Sequence, residues 1–374
     1  MKQTSSPAWL IAVKAILLFL LVISGLLGFA VLRRATNSFT PALLVLVAGL
    51  IIGLIWAGLF WLWRRRRPDQ PPFWQAWLKA AAVWSLVLLA LVAVPFVVAT
   101  FVNIRNPLIM PRVVLTDGEK EVVFQGMVHV ASGTLYEGVV FDMTQAADQG
   151  YDLFFEGVRP GSEENQQLMG EILGTKGQNL NQFYDQFAGA CQLRFQNDYF
   201  GIFYDDIVTN PDQYYNADVS VDDMMNEWRR LLEEHPEWRA QQVNERPEDE
   251  VDNQLTNILD IVDNLSPGQR DLVELACHTM MNIVFSEVGG EKPPFKQEVV
   301  LNFRNRHLAD TILAHPGDTI YVTYGYDHFR GVFRMLQEAN PAWEIVDVRW
   351  RPAIQPRAEV EGELLLEPPA IQQP

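Results

Sequence analysis

The sequence predicts an α/β soluble domain preceded by three transmembrane helices. Three observations predict it. The first 102 residues contain three long apolar runs. The remainder alternates strand-like and helix-like segments near both of its ends. A run of apolar β-formers closing on Gly-x-x-His occurs twice, as "VVFQGMVHV" (122–130) and "YVTYGYDHF" (321–329). Strands alternating with helices imply a sheet with parallel pairs and helices packed on it.

The three runs, Ala8–Leu32, Pro41–Trp63 and Phe73–Val102, are each long enough to span a bilayer core, which takes about 20 apolar residues. The first contains Lys14, whose charge can reach the interface along its own stem. A cleaved signal peptide is the competing reading of that first run, but its apolar length exceeds the core of a signal sequence. Charge divides the chain at the same place. Residues 1–112 hold eleven Lys or Arg and one acid, Asp69, although the whole chain carries a net charge of -17. The rest of the chain is strongly acidic and has no basic stripe, which argues against phosphate-led binding of nucleic acid. Four consecutive arginines, Arg64 to Arg67, join the second and third runs and favour the cytoplasm. The N-terminus is then expected inside and everything after Val102 outside, although Arg33 and Arg34 then fall on the outer side. The expected location is therefore the cell membrane, multi-pass, with an extracytoplasmic domain and the lipid bilayer as a partner. Two cysteines, Cys191 and Cys277, form one disulfide outside the cytoplasm or remain two buried thiols; the sequence leaves both open.

Residues 103–118 read as a linker, with two prolines and a turn-like Asp-Gly. Glu121–Gln125 is a short β-branched and aromatic run. Gly133–Ala147 carries apolar residues at helical spacing and Gly150 stops it; Tyr151–Phe155 is a second strand. The far end repeats this order: a helix over Leu301–Leu313, a strand over Asp318–Tyr324, a helix over Phe329–Ala339 and a strand over Trp343–Val348. Between them, about 160–300 reads as a helical insertion, with 221–235 and 269–285 its strongest helices and 242–253 a charged loop. Residues 351–374, rich in Pro and Glu, are expected to be poorly ordered.

Four residues stand out for chemistry. His129 and His328 come after two of these strands, Glu156 ends a third, and Arg304 lies in the helix that leads into the second repeat. In a parallel sheet the carboxyl ends of the strands share one edge, where ligands bind, so distance in sequence is no obstacle. Neutral imidazole and carboxylate bind borderline divalent metals, and an open coordination position activates water. His129, His328 and Glu156 are the candidate metal ligands. Glu156 is also the candidate general base, with ligand and base left open. Arg304 would orient Glu156 or polarise a carbonyl through its planar fork. Each of these residues alone is more often structural: a His that caps or packs, a Glu that pairs with Arg159 or Arg304, a surface Arg. The paired motif is what favours a shared site. His278 reads as a core or boundary residue, His235 as a helix-end residue, and His307 as a minor candidate beside His315. No zinc-protease helix, phosphate loop or serine-hydrolase elbow is present.

These motifs resemble those of the TraB/GumN/Tiki superfamily. The resemblance rests on Gly126 and His129 in "GMVHVASGTLY", Glu156 in "YDLFFEG", Arg304 with Asn305 in "FRNRHL", Gly325 and His328 in "YGYDHFRG", and Gly331, across 119–350. It implies a domain of two related β-α-β halves with a helical insertion. Its Tiki branch implies a metal-dependent peptidase supported by manganese or cobalt; zinc is the third candidate ion on donor chemistry. The chain departs from that branch in having three spans rather than one anchor and no acid directly after Glu156. The expected function is a membrane-anchored, extracytoplasmic metal-dependent hydrolase, a metallopeptidase acting on a peptide or a membrane-proximal protein. The competing expectation is a non-catalytic module that binds a peptide or haem. A third reading, with the spans themselves as the functional unit, is disfavoured because they carry almost no intramembrane polar residues of the kind that mark transport paths.

Overall fold

Apolar side chains dominate the first 105 residues so completely that they cannot be buried in one another, and the helices they form reflect this. The computed structural model describes residues 8–64, 71–173, 180–239, 265–286 and 293–355. The chain divides into two compact units, residues 1–105 with 261–280, and residues 106–260 with 281–374. In the first unit, α1 (Ala8–Thr36), α2 (Thr40–Arg64) and α3 (Phe73–Arg105) are each long and apolar enough to cross a membrane. They run a few residues past the apolar stretches read from sequence. Small residues set the packing. A Cβ on Gly49 would collide with Ser85 Oγ, and one on Gly53 would lie 2.5 Å from Ala81 Cα. Glycine thus lets α2 and α3 approach at backbone distance, the close packing that apolar solvent requires because the hydrophobic effect is absent there. The large apolar side chains, Leu43, Leu54, Val94 and Phe101 among them, point outward.

The second unit is a mixed α/β domain. Its main sheet comprises β1 (Ile109–Thr116), β2 (Glu121–Met127), β4 (Asp152–Phe155), β6 (Tyr214–Asn216), β7 (Thr319–Gly325) and β8 (Glu344–Pro352), in the order β6-β4-β7-β2-β1-β8. The first four strands of that order are mutually parallel, and β1 is antiparallel to both β2 and β8. A minor ladder pairs β3 (Val130–Ala131) with β5 (Arg194–Phe195). Helix α4 (Gly133–Asp148) crosses from β2 to β4. The later helices are α5 (Glu163–Leu173), α6 (Leu180–Ala190), α7 (Asn197–Phe200), α8 (Tyr204–Thr209), α9 (Val221–Glu234) and α10 (Pro267–Ser286), the last of which begins in the first unit. A π-helical segment, Phe295–Phe303, runs into α11 (Arg304–Ala314), and α12 (Phe329–Ala339) joins β7 to β8.

Buried runs explain the central strands. Val122, Phe124, Ile320, Val322 and Phe154 cluster with Leu308 and Ile312 of α11 and with Val332 and Leu336 of α12. Their alternates, Val123, Tyr321 and Leu153, face the other way and are buried too. Strands covered on both faces read as continuous apolar runs, as these do. Further along, Ser220 and Asp223 cap α9 reciprocally. The buried residues Met224, Met225 and Trp228 of that helix pack with Phe295 and Val299 in a second cluster.

Three sequence expectations need correction. Residues 109–116, read within a linker, form β1, an interior strand. At Pro111 the register pairs only β8, because pairing with β2 starts at Arg112, so the missing N–H costs no second ladder bond. The region 160–300 is not purely helical, since β5 and β6 lie within it and β6 joins the main sheet. The tail begins later than residue 351. Arg351 and Pro352 belong to β8, Ala353 and Ile354 are buried, and the Ala353 N–H donates to the Leu108 carbonyl at 2.7 Å. The charged loop 242–253 and residues 356–374 lie outside the described residues. Both cysteines are oxidised: Cys191, fully buried, and Cys277 are each disulfide-bonded.

Candidate functional site

Strand topology alone brings the two Gly-x-x-His motifs together. β2 and β7 are adjacent and parallel, with Met127 beside Gly325; β4 flanks β7 on its other side, with Phe155 beside Thr323. His129, His328 and Glu156 therefore leave three neighbouring strands at one edge. Glu156 continues the ladder by one bond, its N–H donating to the Thr323 carbonyl at 3.0 Å.

Arg304 organises the edge. Its Nη2 donates to Glu156 Oε1 at 2.6 Å and to Asp218 Oδ2 at 2.6 Å, and its Nε donates to Asp218 Oδ1 at 2.9 Å. Asp218 is fully buried, and its carboxylate also accepts the N–H groups of Gly157 and Val219. The other oxygen of Glu156 accepts the Gly325 N–H at 2.7 Å. One guanidinium thus meets two carboxylates, leaving the cluster with a net negative charge when the imidazoles are neutral.

His328 is buried, and its Nδ1 lies 2.7 Å from Asn305 Oδ1. An amide oxygen only accepts, so Nδ1 carries the proton and Nε2 presents a lone pair. That lone pair points into the cluster, with Arg304 Nη1 at 3.4 Å. The glycines make room for this. A Cβ on Gly325 would stand 3.2 Å from Glu156 Oε2 and 3.3 Å from His328 Cδ2, and one on Gly331 would collide with Asn305 Nδ2. The motif glycines here serve close approach rather than unusual backbone angles.

His129 is held differently. It lies between β2 and β3, and its carbonyl accepts the Gln196 N–H at 3.0 Å. Its Nδ1 is 3.0 Å from Gln196 Nε2, and its ring stacks on Tyr184 of α6 with centroids 4.4 Å apart. No hydrogen bond links it to Glu156, Arg304 or His328 among the described residues; it feels them through charge. Burial lowers its pKa, Glu156 raises it and Arg304 lowers it.

These surroundings set the protonation states. Burial pushes the Glu156 carboxyl up, but Arg304 and the two imidazoles outweigh it and bring it down to about 2. Burial, with Arg304 adding to it, brings His328 down to about 4. At neutral pH the site therefore holds an ionised Glu156 and two neutral imidazoles. The effect on stability has a definite sign. Between pH 6.5 and 4 the unfolded His328 binds a proton that the folded residue refuses, so stability is full above 6.5 and falls as pH drops toward 4. At about 1.4 kcal/mol per pH unit, the loss is on the order of 3 kcal/mol. Glu156 adds a lower window, with stability lost as pH falls from 4.5 toward 2. Denaturant melts in chelator across this range will show both windows. His328→Asn will make the upper window shallower, leaving the share of His129, and will narrow the lower one, because His328 helps hold Glu156 down; an unchanged upper slope in that variant would refute the assignment.

The four predicted residues thus divide: Glu156, Arg304 and His328 form one hydrogen-bonded network, and His129 stands at its rim. Asp218, Gln196 and Tyr184 were missed from sequence. Asp218 comes after a three-residue strand inside a stretch read as helical, and the only signal was "YYNADVS", a short aromatic run ending in turn-formers. The remaining histidines lie elsewhere in the fold. His315 Nε2 pairs with Asp152 Oδ2 at 2.7 Å, at the start of β4, the opposite end of the strand from Glu156. His235 stacks on Trp238, and His278 is buried in α10.

The donors suit a divalent ion in kind: two neutral imidazoles, an ionised carboxylate, a net negative cluster, and His328 oriented by an amide in the way that ligating imidazoles are held. Among the described residues, however, no three His, Cys, Asp or Glu side chains are gathered to hold a metal. Arg304 Nη1 stands 3.4 Å from His328 Nε2. Comparison with protein-family models, with curated proteins and with solved structures returned no match.

Proposed function

We propose that this chain is a membrane-anchored hydrolase acting outside the cytoplasm, a metal-dependent peptidase of the TraB/GumN/Tiki type. The observation that carries the reading is the convergence of two strand-end motifs and Glu156 on one sheet edge, with the carboxylate ionised and the His328 lone pair aimed into the cluster. His129, His328 and Glu156 would hold the ion, whose chemistry there is to polarise a carbonyl and lower the pKa of water. Glu156 is either the third of these holders or the general base; as base it would take one proton from the attacking water at Oε1 or Oε2, leaving the hydroxide oxygen to add to the carbonyl. Arg304, fixed by Asp218, keeps Glu156 ionised and offers its Nη1 donor to an oxygen gaining negative charge. Asn305 holds the His328 tautomer. Tyr184 covers the His129 ring and limits water on that side.

A second reading draws on a different observation. The Arg304 guanidinium already occupies the ground before His328 Nε2, which suits a module that binds a carboxylate-bearing peptide without cleaving it. One experiment separates the two. The full chain, in detergent, is freed of metal and then supplied with manganese, cobalt or zinc in turn; metal content and cleavage of a peptide library are measured together. The peptidase reading expects bound metal and cleavage with at least one ion. Peptide binding without cleavage under all three would favour the module.

The extracytoplasmic placement is supported by the four consecutive arginines, Arg64 to Arg67, that follow the second apolar run. Glu338, an exposed residue of α12, serves as a reporter. Glu338→Cys is expected to react with a membrane-impermeant maleimide in intact cells. Labelling only after lysis would reverse the topology.

A further inference from the structure

A groove of about 550 Å³ lies between α2 and α3 in the first unit. Its walls are apolar and aromatic: Trp56 and Trp84 stack at 5.8 Å and 28°, and Phe60 and Val87 extend the lining. Two lining residues carry charge, Arg64 and Lys79, both positive, and no acidic residue lines it among the described residues. Arg64 sits with its guanidinium 4.7 Å over the Phe60 ring, and its buried Nε has no hydrogen-bond partner among the described residues. A buried N–H of a cation without an acceptor is costly, and a partner that supplies one is favoured.

Position along the helices tells what shape of partner fits. Arg64 ends α2, and Trp56 lies about 12 Å further in at 1.5 Å per residue. Lys79 lies about 9 Å from the start of α3 and Val87 about 21 Å. The charged end of the groove is thus the end where α2 finishes and α3 begins, and the apolar part continues inward over about the depth of one leaflet, half of a ~30 Å hydrocarbon core. A ligand that fills it carries a negative oxygen at one end and a hydrocarbon chain at the other.

We propose that this groove is a binding site for an anionic phospholipid, with the phosphate held by Arg64 and Lys79 and an acyl chain lying along Trp56 and Trp84. The site selects its lipid by headgroup charge. A zwitterionic lipid offers the same chain but places its own cation beside the two already there.

The test uses the full chain in phosphatidylcholine nanodiscs containing a few mole per cent of a lipid brominated on its acyl chain, either phosphatidylglycerol or phosphatidylcholine. Bromine quenches tryptophan on contact, and the difference between the wild-type chain and Trp56→Phe/Trp84→Phe isolates the signal of the groove. Two cations at about 1 kcal/mol each predict a preference for the anionic lipid of about tenfold or more. Arg64→Gln/Lys79→Gln is expected to abolish that preference. Ala80→Leu, which narrows the groove but keeps both charges, is expected to weaken it. Equal quenching of this groove signal by the two lipids overturns the proposal. So does a preference that survives unchanged in Ala80→Leu, which would place the lipid outside the groove.

Discussion

Arg304→Met is expected to be the most destabilising single change in the second unit. It removes the shared cation from a buried pair of carboxylates, Asp218 at 0 % exposure and Glu156 on the other side of the same guanidinium. Breaking a buried ion pair from one side costs about 3–5 kcal/mol, because the stranded charge keeps its desolvation penalty and loses its attraction. For a domain of this size that lowers the melting temperature by about 10 °C. Hydrogen exchange of the β7 amides in the full chain reads the loss within the unit concerned. Arg306→Met is the control two residues away: its partner Glu227 is reached from an exposed position, and pairs of that kind contribute about 1 kcal/mol or less. Asp218→Asn added to Arg304→Met should restore part of the loss, since it neutralises one stranded charge. A melting change in Arg304→Met no larger than in Arg306→Met would show that the ion cluster does not hold this edge together.

The second large effect concerns turnover. Under the proposed function, Glu156→Gln is expected to lower hydrolysis by about 10²–10⁴-fold, the range for loss of a positioned general base. The amide cannot take a proton, yet it still offers Oε1 to Arg304. Metal content distinguishes the two roles left open for Glu156. Retained metal with lost turnover assigns it as base; lost metal assigns it as ligand. His129→Ala and His328→Ala should each remove both metal and activity, because each deletes a donor nitrogen. His129 is the more informative of the two. It shares no hydrogen bond with the cluster among the described residues, so its loss disturbs Arg304 less than the loss of His328 does. Full activity in His129→Ala would remove it from the site and leave Glu156, Arg304 and His328 as a smaller, metal-independent centre.

The membrane helices, the strands β2, β4 and β7, and the charged and imidazole groups at their ends were legible in the sequence. The reason is local. A 3.6-residue or two-residue period, an uninterrupted apolar run and a glycine before a turn are set by neighbours in the chain, and they survive without knowledge of what packs where. Strand β1 was not legible in the same way. Pro107, Pro111 and Asp117-Gly118 are all turn-formers by local preference, and only the position of β8 beside β1, with β2 unpaired at Pro111, makes a proline acceptable there. Asp218 was hidden for a related reason. A three-residue strand has too little pattern to be seen, and β6 exists because β4 offers it an edge.

The sequence by itself determined that three segments are long and apolar enough to cross a membrane, and that two histidines and a glutamate leave strands in the same sense. The tertiary structure alone decided that those strands are neighbours, and that Arg304 faces two carboxylates rather than one. It also decided that His328, but not His129, is tied into the charged network. Such pairings join residues 24 to 148 positions apart, and at those separations no local preference operates. The parallel register of β4, β7 and β2, set by burial on both faces of the sheet, puts the groups within hydrogen-bonding reach.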